Sequence, residues 1–293
     1  MISMRDGRIF SLLIVLVLSA LLTAFTPGCK QSLVLNEAGD MVQVSGGTFT
    51  MGCYSLVFQC NENEVPHHKV TLSNFWLDVH EVTVAEYEDC VRAGSCSEAH
   101  IPREDASLDR IFYNWGVPDR RNHPVNGVDW HQASAYCAFK GKRLPTEAEF
   151  DYVLRGRQEG YYPWGDEWTI PERFGNYMDE SGKKALYNPH DSDYIKKYND
   201  GFVSTSPVCS FRRNAFGLCD ITGNVSEWCS DWFDGRYYST SPAVNPKGPD
   251  TGMFKLVRGG SWKDDHKRLA VSFRGFDSPD QWYYAIGFRC AKD

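Results

Sequence analysis

Apolar and polar positions alternate through residues 41–52, "MVQVSGGTFTMG", and a Gly-Gly pair interrupts them, a pattern that predicts two short strands around a turn. Three helices are predicted by capping boxes, in which a Thr or Asp side chain takes a backbone N–H three residues on and a Glu or Gln reaches back. These are Thr83/Glu86 in "TVAEYEDCVRAG", Asp129/Gln132 in "DWHQASAYCAFKG" and Thr146/Glu149 in "TEAEFDYVLRG". Each stops at a glycine: Gly94, Gly141 and Gly156. From about residue 157 the chain turns polar, aromatic and glycine-rich, and only short runs such as "FKLVRGG", "AVSFRG" and "IGFRCA" read as strands. Long loops between short strands need staples or bound ions to hold them.

The amino terminus has a different pattern. Arg5 and Arg8 precede an uncharged run from Ile9 to Phe25 that ends in "TPGCK". This reads as a secretion signal over residues 1–28; a retained membrane anchor is the alternative, since a run of about 17 residues just reaches across a bilayer. Gly28 directly before Cys29 resembles a bacterial lipobox, in which the thiol is lipidated and becomes the new first residue. Lys30, rather than Asp, favours the outer membrane by analogy with enteric bacteria. Residues 29–40 then form a tether, and folded sequence begins near Met41.

The chain of 293 residues carries a formal charge of −7, and loss of residues 1–28 makes it −8. With no Lys/Arg cluster interleaved with aromatics, a nucleic-acid partner is not expected. Aromatic residues reach 14%, with nine Trp, and helix-favouring runs are scarce, which suggests an irregular, aromatic-cored fold. Nine cysteines remain once Cys29 is set aside, in what should be an oxidising compartment. Local spacing suggests Cys53 with Cys60, Cys90 with Cys96 and Cys219 with Cys229, leaving Cys209 unpaired. A zinc site lacks any C-x-x-C to stand on.

The series "GGTFTMG", "EVPHHKVTLSNFWLDVHEVTVAEY", "HPVNGVDWHQASAYCAFKGKRLPTEAEFDYVLRG", "YPWGDE", "FGLCDITGNVSEW", "VRGGSW" and "GFRCA" resembles the formylglycine-generating enzyme (sulfatase-modifying factor) family over residues 41–293. The resemblance implies one α+β domain of the variant C-type-lectin-like kind, with little regular secondary structure. It also implies a disulfide between Cys137 and Cys290. Enzymatic members oxidise a sulfatase cysteine to formylglycine with copper and oxygen, using two cysteines three and eight residues after the serine of the GGS motif. Here those positions are Asp264 and Leu269. A soft Cu(I) ion wants thiolates, and a carboxylate with an alkyl chain is no substitute, so copper is not expected.

Calcium is the ion the resemblance favours, in a structural role. Its first family site maps onto Asn176, Tyr177, Asp200 and Phe202, and a second onto Asn224, Val225 and Glu227. The alternatives are that Asn176 and Asp200 make turns and that Glu227 pairs with a buried Arg. No histidine pair among His67, His68, His80, His123, His131 and His266 has zincin spacing, and packed imidazoles are the expectation. His266 with Asp264 and Asp265 could bind a cation or draw a proton, but a solvated charge run is the favoured reading.

Candidate cleft residues are Ser261, Trp262, Asp264, His266 and Arg274. One of Arg258, Arg274 and Arg289 could grip a carboxylate, against internal pairing with Glu147, Glu149 or Glu227, which is favoured for Arg289. Trp262, Trp282, Tyr283 and Tyr284 offer aromatic surface near the same loop. The favoured reading is a non-oxidase, lipid-anchored protein of the bacterial cell envelope that binds a peptide, glycan or protein partner. Its rivals are an enzyme of the same fold with altered oxidative chemistry, and a formylglycine-generating oxidase acting on a sulfatase cysteine.

Overall fold

The computed structural model describes residues 40–55, 58–102, 111–156, 160–186 and 194–293. The expected signal, Cys29 and all but the last residue of the tether lie outside them. No helix among the described residues is long and apolar enough to cross a membrane.

The alternating segment forms β1 (Met41–Val44) and β2 (Thr48–Met51), but the two strands do not pair with each other. Instead β1 pairs antiparallel with β4 (Phe75–Asp78), and β2 with β3 (His68–Thr71). The glycines between them mark the crossing from one small sheet to the next. A Cβ on Gly46 would lie 2.1 Å from the Leu72 carbonyl oxygen, so the backbones can approach there only without a side chain.

All three capping boxes form with both arms in place, opening α1 (Val84–Arg92), α2 (Trp130–Phe139) and α3 (Glu147–Arg155). Gly94, Gly141 and Gly156 end them at φ of 72°, 67° and 63°, a conformation that favours glycine. A fourth helix, α4 (Glu180–Leu186), sits in the polar half, where no helix was expected. Helices and small sheets stay segregated, giving an α+β fold.

The sheet that carries the site has the order β7-β6-β5-β8, built from β5 (Ser226–Trp232), β6 (Lys255–Arg258), β7 (Gly275–Asp277) and β8 (Ile286–Gly287). The last strand, β9 (Ala291–Lys292), joins β4 instead. Residues 270–274, expected as a strand, form a bend, a turn and irregular chain. Their carbonyls are served by a side chain: Arg258 donates to the oxygens of Val271, at 2.8 Å, and Phe273. A strand begins only at Gly275.

Two apolar clusters make the bulk of the core. One packs α3, through Phe150 and Val153, against β1, β4 and β6; the other packs Tyr87 of α1 and Tyr136 of α2 against Trp228 and Phe288. Cys137 and Cys290 bridge α2 to the chain before β9, closing 153 residues, a cross-link worth about 5 kcal/mol by loop-closure entropy. Cys53–Cys60 and Cys90–Cys96 also form. The remaining expectation is corrected: Cys219 bonds to Cys209, and Cys229 is the free thiol among the described residues. Cys229 lies on β5, facing the core beside Leu256 and Leu218, and burial pushes its thiol well up.

Candidate functional site

Behind β6 the chain turns through Gly259 and Gly260, at φ of 91° and 70°, and enters a compact loop. A Cβ on Gly260 would stand 2.7 Å from a Leu269 methyl, so the loop closes against its own start. Within it, one oxygen of Asp264 accepts from the Ser261 N–H at 2.9 Å and from the Ser261 hydroxyl at 2.6 Å. The Asp264 N–H returns to the Ser261 carbonyl at 3.0 Å. Burial pushes the Asp264 carboxyl up, while these Ser261 bonds and the Arg268 charge hold it down. Outside contacts fix the loop as a unit: Trp262 N–H donates to the Asn224 carbonyl at 2.9 Å, and Met178 N–H to the Asp264 carbonyl at 3.2 Å.

Leu269 is 1% exposed and packs with Ile170, Tyr177, Ile195 and Tyr198. Trp262 is also buried, against Phe112 and Met178, with Tyr284 at 5.6 Å between ring centres. The expectation of a solvated charge run is corrected at two positions, since Asp264 and His266 are each 7% exposed. They do not converge on one point either. His266 stacks on Trp168 at 4.0 Å and 12°, and its Nε2 bonds the Trp168 carbonyl at 2.8 Å. Burial lowers its pKa, favouring the neutral ring.

None of the three arginines reaches outward. Arg274 holds Glu147 through Nε at 2.7 Å and Nη2 at 3.0 Å, Arg258 holds Asp151 at 2.5 Å, and Arg289 holds Glu227 at 2.7 to 3.0 Å. A fully buried carboxylate is affordable only with such a partner. These pairs brace the sheet beneath the loop rather than offering a grip to a ligand.

A cleft of about 370 Å³ opens over this sheet face, lined by Ser261, Lys263, Asp264 and Arg268 of the loop and by Phe276, Asp277 and Tyr283. Of the expected aromatic surface, Tyr283 lines it; Trp282 instead stacks on His100 at 5.1 Å. Lys263, Arg268 and Phe276 were missed in the sequence, although the charge knot "KDDHKR" pointed toward the first two.

The two residue sets mapped for calcium differ in what they offer. Asn176 is 1% exposed, donates to the Ser204 carbonyl at 2.8 Å, and leaves its Oδ1 buried without a partner. Asp200 accepts from Tyr177 N–H at 2.9 Å and Phe202 N–H at 2.7 Å, while burial pushes its carboxyl up to about 7. In the second set Glu227 is taken by Arg289, and Asn224 Oδ1 accepts the Ser206 N–H at 2.9 Å. Two further buried acids that the sequence reading passed over sit beside them: Glu81, which binds Asn224 and Val225, and Asp220, whose Oδ1 has no partner. No group of three His, Cys, Asp or Glu among the described residues is arranged to hold a metal.

Residues 29–293 match the family model of the sulfatase-modifying factor enzyme 1-like domain. The chain belongs to this family. It is 36% identical to the formylglycine-generating enzyme of Streptomyces coelicolor, over 86% of this chain and 88% of that protein. It is also 30% identical to the inactive C-alpha-formylglycine-generating enzyme 2 of Bos taurus, over 94% and 95%. Among solved structures it resembles PvdO from Pseudomonas aeruginosa, with a TM-score of 0.68 and 26% identity over 86% of this chain and 94% of that one. Within the sulfatase-modifying factor family, then, the two positions where the resemblance places thiols are here a serine-capped carboxylate and a buried aliphatic side chain.

Proposed function

We propose that this chain is a non-oxidising member of its family that binds a ligand in the cleft beside Ser261, at the bacterial cell envelope. The observation that carries the reading is the state of the cysteines. Eight of the described ones are closed in four disulfides, and the ninth, Cys229, is buried inside β5. Among the described residues no two thiols are left to hold a cuprous ion between them, and a hard carboxylate with a leucine does not fit one. The inactive relative in cattle supports the same reading, because 30% identity over 94% of this chain extends to a protein named for lacking the activity. Envelope placement rests on the uncharged run before Cys29 and on the four disulfides, which suit an oxidising compartment.

Calcium belongs to this reading at the first set of residues only. The unpartnered Asn176 Oδ1 and the desolvated Asp200 carboxylate suit a hard cation, with the carbonyls of Tyr177 and Phe202 completing the oxygen donors. The ion would tie the loop of Asn176 to that of Asp200, beside the contact of Tyr177 with Tyr198. The second set does not fit, because its carboxylate already has a guanidinium.

The test is a cuprous competition titration of the full chain against bicinchoninate. The chain should leave the coloured complex intact, whereas withdrawal of one Cu(I) per chain that survives Cys29→Ala and Cys229→Ala would overturn the reading.

A further inference from the structure

The cleft walls carry charge unevenly. Lys263 is exposed, its ammonium lies 5.0 Å above the Tyr284 ring, and its charge acts on Asp264. Arg268 has a side chain 61% exposed and pairs with Asp264 at a loose 3.6 Å. The two lining carboxylates are engaged differently. Asp264 is turned inward onto Ser261, and Asp277 accepts the N–H of Ser278 at 2.8 Å. At the mouth, therefore, the two cations are the more exposed charges, although both also act on the largely buried Asp264, in a protein whose overall charge is −7.

The same cleft is also lined by aromatic residues. Phe276 is 45% exposed on β7 and Tyr283 is 42% exposed, and both line the same cleft. Phe276 is backed by Phe233, stacked at 4.0 Å and 18°, so its outward face is held rigid. β7 is also an edge strand of its sheet, so an extended backbone could run beside it.

Resting on the binding role given above, we infer that the cleft takes an acidic peptide. A carboxylate of that peptide sits between Lys263 and Arg268, and an apolar side chain lies against Phe276 and Tyr283. A planar guanidinium and a mobile ammonium on one rim suit a carboxylate, with Arg268 setting its plane and Lys263 supplying charge.

The experiment uses fluorescence anisotropy with the full chain and three fluorescein-labelled probes. These are a short peptide alternating glutamate and phenylalanine, its counterpart with lysine for each glutamate, and an oligogalacturonate. The acidic peptide should saturate the wild type and weaken as salt is raised, and the double variant Lys263→Glu/Arg268→Glu should bind it about tenfold less tightly or worse. Because both side chains also act on Asp264, a second variant, Lys263→Gln/Arg268→Gln, which adds no like charge there, should lower the affinity while keeping the wild-type melting profile. Equal or better binding of the lysine peptide, acidic-peptide binding indifferent to the double variant, saturation by the uronate alone, or no binding of any probe would each overturn the inference. Lysine-peptide binding that is lost in Phe276→Ala would leave the cleft as a binding site and remove only the charge assignment. Aldehyde formation on a cysteine peptide would instead remove the non-oxidising reading.

Discussion

Asp264 is folded back onto Ser261, taking both its N–H, at 2.9 Å, and its hydroxyl, at 2.6 Å, through a single carboxylate oxygen. The side chain at the position where the family resemblance calls for a thiol is thus a cap for its own loop. With Leu269 serving as core five residues later, the loop keeps its shape through a hydrogen-bonded turn and an apolar anchor.

That anchor is testable by stability. Leu269→Ala removes a side chain 1% exposed among Ile170, Tyr177, Ile195 and Tyr198, and should cost about 3 kcal/mol in urea unfolding. A cost within the scatter of surface substitutions would mean that the loop does not depend on it.

Disulfide mapping gives a second outcome. Peptides from the unreduced protein should contain Cys209 joined to Cys219, and Cys229 should take up alkylating reagent only after unfolding. A Cys219–Cys229 peptide, or rapid labelling of Cys229 in the native state, would contradict the arrangement.

The legibility of the chain follows from range. Capping boxes are local relations between residues three apart, so α1, α2 and α3 could be read from the sequence at both ends. Cys53–Cys60 and Cys90–Cys96 were visible for the same reason. Cys219 had no such guide, since Cys209 and Cys229 each stand ten residues from it, and only the inward facing of β5 decides between them. His266 looked like part of a charged surface because its partner, Trp168, is 98 residues away. The strand expected at residues 270–274 failed for a similar cause: its carbonyls find a guanidinium from β6, which no local pattern reveals.

Asp231 supplies a pH dependence. It is buried under α3, accepting from Glu147 N–H at 3.0 Å and Ser230 Oγ at 2.8 Å, and burial followed by the Glu147 charge raises its pKa from 3.8 to about 7. The cation of Lys255 opposes that rise, since it also faces Asp231 while lying over the Trp130 and Trp232 rings. A raised carboxyl binds its proton more tightly folded than unfolded, so the stabilisation is complete below pH 3.8 and is lost as pH rises through about 7. Asp231→Asn should therefore flatten the urea midpoint against pH over that window. An unchanged slope would show that Asp231 is not the titrating group.

Calcium removal should lower the thermal midpoint by several degrees, and Asn176→Ala should abolish the difference between chelated and calcium-loaded protein. The variant itself should fold, because only the Asn176 amide bonds to Ser204 and Asn224 are lost. A midpoint indifferent to chelator in the wild type would remove the ion from the account.

The most direct measurement is mass spectrometry of a cysteine-bearing sulfatase peptide incubated with the full chain, copper and oxygen. The account predicts an unchanged peptide mass over many hours beside an active family member as control. A mass loss matching conversion of the thiol to an aldehyde, dependent on this chain, would contradict it.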